Sequence, residues 1–80
     1  MIGKQIRITG TVQGVGFRPF VYRAALKHHL KGDVRNDGAG ILIHAYGSDS
    51  DRVNFVDEIQ NHHPPLAVIR SIIQNQIPKE

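Results

Sequence analysis

Gly10-Thr11-Val12-Gln13-Gly14-Val15-Gly16-Phe17-Arg18, followed by Pro19, is the stretch of this chain whose residue types could handle an anion. Gly14 and Gly16 can take backbone conformations closed to other residues, so that successive N–H groups curl toward one point. Arg18 ends the turn with a planar, permanently charged fork that suits a phosphate. Pro19 is preorganised for the first position of a helix. The anion would then sit near a helix N-terminus, where partial positive charge favours it. On the glycines alone the plainer reading is a tight strand-to-helix turn with a surface arginine, because short glycine patterns recur by chance.

Asn36 is the second residue of interest. A side-chain amide on a neighbouring strand can accept a hydrogen bond from a water and direct its lone pair. Taken alone, Asn36 ahead of Asp37-Gly38 reads as turn chemistry. The histidines point to no metal site. His28-His29 and His62-His63 are adjacent pairs, which project in different directions on a helix, unlike the i, i+4 pair of a zinc site. They read as helix-end solvation, and His44 reads as an exposed residue on a strand face. Asp49, Asp51, Asp57 and Glu58 cluster around a helix whose dipole early acids complement. Tyr22 reads as a packing residue. No paired carboxylates stand out, and the residues call for no metal or organic cofactor.

The elements that must position Arg18 and Asn36 follow from periodicity. Gln5 to Val12 alternates, with Ile6, Ile8, Gly10 and Val12 on one face, which predicts a strand with one buried side. Phe20, Val21, Ala24 and Ala25 recur at helical spacing after the glycine turn. Lys27 and Lys31 fall near the end of that helix, with Gly32 as its terminator. Asp33 to Asn36 reads as a second strand. Asp37-Gly38-Ala39-Gly40 reads as a hairpin turn with positive backbone angles at Asp-Gly. Ile41 to Tyr46 reads as a third strand, alternating Ile41, Ile43 and Ala45 against Leu42, His44 and Tyr46.

Gly47-Ser48-Asp49-Ser50 offers a loop and helix caps. Val53, Val56 and Ile59 then mark the apolar stripe of a second helix, with Phe55 at its edge, ended by Pro64-Pro65. Val68 to Ile73 is a fourth strand with Ala67, Ile69, Ser71 and Ile73 on one face. Gln74 to Glu80 carries little signal. The order βαββαβ predicts an α+β, ferredoxin-like sandwich: a four-stranded antiparallel sheet with both helices on one face. That architecture hosts many unrelated functions and says nothing about chemistry.

The 80 residues make one domain, expected to fold by itself though with a small core. At 40% hydrophobic and 21% charged the composition is that of a globular protein. The formal charge of +3 suits an anionic ligand. The basic residues are scattered without interleaved aromatics, which argues against nucleic acid. With no cysteine, the segment has no disulfide, thiolate nucleophile or cysteine-bound zinc, and a cytoplasmic location is expected for so small a domain without disulfides. No apolar run is long enough to span a membrane.

The whole string Val12-Gln13-Gly14-Val15-Gly16-Phe17-Arg18 resembles the first signature of the acylphosphatase family, and Gly32-Asp33-Val34-Arg35-Asn36 resembles its strand with a catalytic asparagine. Two separated matches in the expected order are far more specific than one glycine loop. The Arg18-Pro19-Phe20-Val21-Tyr22 run, the segment from Gly32 to Gly40, and Pro64-Pro65-Leu66-Ala67 are similar to the acylphosphatase-like domain that opens the HypF carbamoyltransferases of hydrogenase maturation. Stand-alone acylphosphatases usually carry an aromatic residue where this chain has Asp33 and lack the Pro19-Phe20-Val21 run. The resemblance extends from about Gln5 to about Ile73.

It implies hydrolysis of an acyl phosphate, carbamoyl phosphate in the HypF branch. Arg18 and Asn36 would be catalytic, and Gln13, Gly14, Val15, Gly16, Phe17 and Arg18 would bind the phosphate. It also implies a longer parent protein, whose remaining domains and hydrogenase maturation proteins would be partners. Two other readings stand beside it. One is a non-catalytic module of a larger carbamoyltransferase that binds phosphate and releases it unchanged. The other is a ferredoxin-like RNA-binding domain, which needs exposed aromatics on the central strands. Only Tyr46 offers one.

Overall fold

Alternation along the first strand builds the centre of the molecule. In the computed structural model, which describes residues 2–78, strand β1 spans Ile2–Thr11. Ile6 and Ile8 are buried on one side, and Val12 just past the strand joins them. Helix α1 (Phe17–Lys27), strands β2 (Lys31–Asp37) and β3 (Gly40–Tyr46), helix α2 (Asp49–His62) and strand β4 (Val68–Pro78) follow. The sheet order is β2-β3-β1-β4, with every neighbouring pair antiparallel. Ile8 lies opposite Ile41 on one flank and Ile72 on the other. Ile6, Ile8, Ile41 and Ile43 meet Phe17, Val21 and Ala24 of α1 and Phe55, Val56 and Ile59 of α2 in one core. Each of the buried Ile, Val and Phe side chains contributes about 1.5–3 kcal/mol of transfer free energy. This is the ferredoxin-like sandwich that the βαββαβ order predicts.

Both helix ends differ from the expected ones. Pro19 occupies the third helical position rather than the first, because α1 starts at Phe17 behind the left-handed Gly16. Burial of Phe17 in the core sets that start, and a proline is tolerated in a first turn whose N–H groups have no intrahelical acceptor. The helix stops at His28-His29, not at Gly32, which lies in β2. His29 takes φ 60. Its N–H donates to the Leu26 carbonyl at 3.2 Å, and the Leu30 N–H to the Ala25 carbonyl at 2.9 Å. This is a Schellman ending, with the buried Leu30 as its hydrophobic contact.

The apolar face of α2 is centred on Phe55, which is fully buried, while Val53 is 67% exposed. The stripe therefore runs through Arg52, Phe55, Val56 and Ile59. Arg52 joins it by donating from Nε to the Gly47 carbonyl at 3.3 Å and pairing with Asp49. Ser48 caps the helix by accepting the Asp51 N–H at 3.1 Å. Tyr22 is 60% exposed on α1 and packs little.

Strand β4 departs furthest from expectation. Thr9 faces Ser71 but Gly10 faces Ile69, so Arg70 is the extra residue of a β-bulge. The bulge resets the alternation. Ile69 and then Ile72 pack on the core, and Ile73 turns away and is exposed. The strand also continues through the unpatterned segment Gln74 to Pro78, held by backbone pairing to β1 as far as Ile2. At the hairpin, Gly38-Ala39 joins Asp37 to Gly40. Neither Asp37 nor Gly38 takes positive φ; that falls on Gly40 at φ 122. The turn is closed instead by the Ala39 N–H donating to Asp37 Oδ1 at 2.8 Å.

Candidate active site

Strand β1 delivers the glycine loop to one end of the sheet. Ile8 pairs with Ile41, at the start of β3, and Ile41 pairs in turn with Asn36, near the end of β2. Residues directly opposite in an antiparallel pair share a face. Asn36 therefore lies on the side of the sheet where Ile41 is buried, the side that carries the helices. Helix α1 begins at that same end, with Arg18 in its first turn. The fold thus gathers Arg18, the loop and Asn36 at one end of the molecule, on the helix-bearing side. Both side chains are exposed.

The loop is shaped by two left-handed glycines, Gly14 at φ 73 and Gly16 at φ 78. A Cβ at either would meet nothing within 4 Å, so glycine is demanded there by backbone conformation and not by space. Between them Val15 packs against the core, and after them Phe17 is buried. Phe17 meets Phe20 edge to face, with ring centres 5.8 Å apart at 72°. These two anchors hold the loop from below.

The first backbone bond of α1 is from the Phe20 N–H to the Gly16 carbonyl at 3.2 Å. Gly16 has no side chain with which to cap. Among the described residues, the N–H groups of Gly14, Val15, Gly16, Phe17 and Arg18 donate to no protein acceptor. Arg18 has no ion-pair partner among the described residues. The arrangement is a run of unpaired donors at a helix N-terminus with a free guanidinium beside it, a geometry suited to anions.

Gln13 plays a part that its spacing does not announce. Its Nε2 donates to the Asp37 carbonyl at 2.9 Å, which ties the loop to the end of β2 one residue beyond Asn36. On the opposite face of the sheet, Arg7 Nη1 donates to Asp37 Oδ1 at 2.5 Å. That hydrogen bond, with the Ala39 N–H second, holds the Asp37 carboxyl below its usual range, so it stays ionised. Twenty-four residues separate Gln13 from Asp37 and 30 separate Arg7 from Asp37. No local pattern signals contacts of that separation.

The remaining titratable groups lie elsewhere. His44 is not an exposed strand residue: its Nδ1 lies 2.9 Å from Asp33 Oδ1 and its Nε2 3.3 Å from Gln5 Oε1. His28 bridges the helices through Nε2, 2.8 Å from Glu58 Oε1, with Lys27 Nζ at 3.1 Å from the same oxygen. Glu58 thus serves a contact between helices, not the α2 dipole. Among the described residues, no three His, Cys, Asp or Glu side chains gather as metal ligands would. No helix of the described residues is long and apolar enough to cross a membrane.

The acylphosphatase family model matches residues 4–80. The chain belongs to the acylphosphatase family. It is 52% identical to carbamoyltransferase HypF2 of Cupriavidus necator over 68 residues, which are 85% of this chain and 8% of that one. A crystal structure of full-length HypF in a phosphate- and nucleotide-bound form superposes with TM-score 0.96 at 42% identity, covering all of this chain and 11% of that one. The acylphosphatase of Bacillus subtilis superposes with TM-score 0.92 at 33% identity, covering all of this chain and 89% of that enzyme. This acylphosphatase domain therefore spans about a tenth of the length of the carbamoyltransferase relatives it matches, and nearly the whole of the small enzyme.

Proposed function

We propose that the chain hydrolyses acyl phosphates, with carbamoyl phosphate as its substrate in a HypF-type carbamoyltransferase of the cytoplasm. The observation that carries this reading is the run of unpaired N–H groups between left-handed Gly14 and Arg18, at the sheet end that holds Asn36. Membership of the acylphosphatase family supports it. The partners on this reading are the other domains of such a carbamoyltransferase and the hydrogenase maturation proteins it serves.

An acyl phosphate has a good leaving group, so no covalent nucleophile is required. The protein must hold the phosphoryl dianion and aim a water at phosphorus. The amides from Gln13 to Arg18 and the Arg18 guanidinium hold the phosphoryl oxygens, whose charge they stabilise most as the bond to the acyl oxygen breaks. The Asn36 carbonyl oxygen accepts one O–H of the water and turns its lone pair toward phosphorus. The new P–O bond forms from water, the old one breaks to release a carboxylate or carbamate, and the water's proton passes to a phosphoryl oxygen. Charge balances, with one dianion giving two monoanions.

The test is phosphate release by the 80-residue chain from carbamoyl phosphate and from benzoyl phosphate. Turnover of both well above the uncatalysed rate is expected. Phosphate binding without turnover would replace this reading with the non-catalytic anion-binding module of a larger carbamoyltransferase.

A further inference from the structure

Three separate segments converge on Asp37. Its carboxylate accepts from Arg7 Nη1 at 2.5 Å and from the Ala39 N–H at 2.8 Å, and its carbonyl accepts from Gln13 Nε2 at 2.9 Å. The bond from Arg7 has to cross a whole strand, because β3 lies between β1 and β2. Where β3 faces Asp37 it carries Gly40, which has no side chain to stand in the way. At φ 122, a Cβ on Gly40 would overlap the Ile8 carbonyl oxygen. Arg35, two residues back on β2, forms no ion pair among the described residues, so the hold on the Asp37 carboxylate belongs to Arg7.

This hold has a consequence for the site. β2 is an edge strand, paired on one side only, so its end can roll about the strand axis more freely than that of an inner strand. Consecutive strand residues point to opposite faces. Fastening the Asp37 side chain on the open face therefore fixes the angle at which Asn36 leaves the strand on the helix-bearing face. The Arg7 and Asp37 side chains are 27% and 39% exposed, and an ion pair so open to solvent adds little to stability. Its effect on Asn36 can thus be separated from its effect on folding.

We infer that the Arg7–Asp37 pair is a positioning element that aims Asn36 from the far face of the sheet. Arg7 acts through Asp37, and neither residue has to touch the substrate. The inference deepens the hydrolytic reading and rests on it for its kinetics, but not for its effect on the mobility of Asn36.

The test compares the parent chain with Arg7→Gln, Arg7→Lys, Asp37→Asn and the double variant Arg7→Gln/Asp37→Asn. Asparagine at position 37 can still accept the Ala39 N–H, so the turn is kept. For benzoyl phosphate, kcat should fall about tenfold in Arg7→Gln and in Asp37→Asn. KM and inhibition by inorganic phosphate should stay within about twofold, because the loop keeps its anchors Val15 and Phe17. The double variant should lose no more than either single one, since both remove the same interaction. Arg7→Lys, which keeps the charge, should recover part of kcat. Backbone ¹⁵N relaxation, measured without substrate, should show a lower order parameter for Asn36 in Arg7→Gln than in the parent, with Ile43 unchanged. If the parent hydrolyses nothing but Asn36 loosens in this way, hydrolysis falls and the positioning role stands. Parental kcat in a folded Arg7→Gln protein, a rise in KM in place of the fall in kcat, losses that add in the double variant, or an unchanged order parameter for Asn36 would each overturn it.

Discussion

The Gln13 side-chain amide donates to the Asp37 carbonyl at 2.9 Å, fastening the glycine loop to the strand that carries Asn36. The loop and the proposed water-directing residue are thereby held in register by a contact that neither segment encodes alone. Gln13→Ala removes the tether. A hydrogen bond contributes about 0.5–1.5 kcal/mol, so the melting temperature should fall by roughly 2–12 °C, toward the low end because the bond is exposed. Turnover of benzoyl phosphate should fall about tenfold, as expected when positioning is loosened. Unchanged kcat/KM in Gln13→Ala would show that the loop holds its place without the tether.

Arg18 is exposed, unpaired among the described residues and outside the core. Arg18→Ala should leave the melting temperature within about 2–4 °C, since surface changes of this kind usually stay within ~0.5 kcal/mol. It should lower acyl-phosphate turnover by 10²–10³-fold, the loss of about 2.7–4 kcal/mol seen when one oxyanion donor is removed. Arg18→Lys keeps the charge but not the fork and should remain strongly impaired. Near-parental activity in Arg18→Ala would remove the residue from the mechanism.

Asn36 separates catalysis from turn structure. Asn36→Ala should depress turnover severely while inhibition by inorganic phosphate persists, because on the proposed mechanism the loop and Arg18 hold the anion. Asn36→Asp should be folded and inactive, since a carboxylate would repel the phosphoryl dianion. The turn itself is closed by the Asp37 carboxylate and the Ala39 N–H, not by Asn36, so both variants should keep a near-parental melting temperature. Hydrolysis surviving in a folded Asn36→Ala protein would leave the water-directing role without support.

Stability should depend on Glu58 at acid pH. Hydrogen bonding from His28 first, then from Lys27, holds its carboxyl below the ordinary value of 4.5. A depressed folded-state value stabilises the native state above the unfolded value and loses that contribution as pH falls through the folded one. The melting temperature should therefore drop between about pH 5 and pH 3. Glu58→Gln should be less stable at pH 6 and show a shallower decline over the same interval. Parallel curves for the two proteins would assign the acid sensitivity to other groups, Asp37 among them.

The orientation of α2 can be read from two substitutions. Phe55 is fully buried and Val53 is 67% exposed. Phe55→Ala should cost about 3–5 kcal/mol, and Val53→Ala less than about 0.5 kcal/mol. Denaturant unfolding of the two variants would show the difference directly, and comparable losses would contradict the buried face.

Period-two alternation in Ile6-Ile8 and Ile41-Ile43, and one helical repeat after the first strand of each β-α-β unit, were enough to determine the βαββαβ order and the buried faces of β1 and β3, while two separated motifs that match a known family pointed to Arg18 and Asn36. Such signals are local: each comes from side chains within one turn or one pleat of their neighbours. The tertiary structure decided the rest. Where α1 begins depends on Phe17 finding the core, and Phe55 displaces Val53 from the buried face of α2 because it reaches the sheet. The bulge at Arg70 appears only where β4 is laid against Gly10, and it alone determines that Ile72, not Ile73, packs inward. The polar stretch after Ile73 becomes a strand through backbone pairing to β1, which leaves no mark on side-chain pattern. Gln13 meets Asp37, and His28 meets Glu58, across 24 and 30 residues. Contacts of that separation are set by how the layers pack, so the tether behind the loop and the clasp between the helices became visible only in three dimensions.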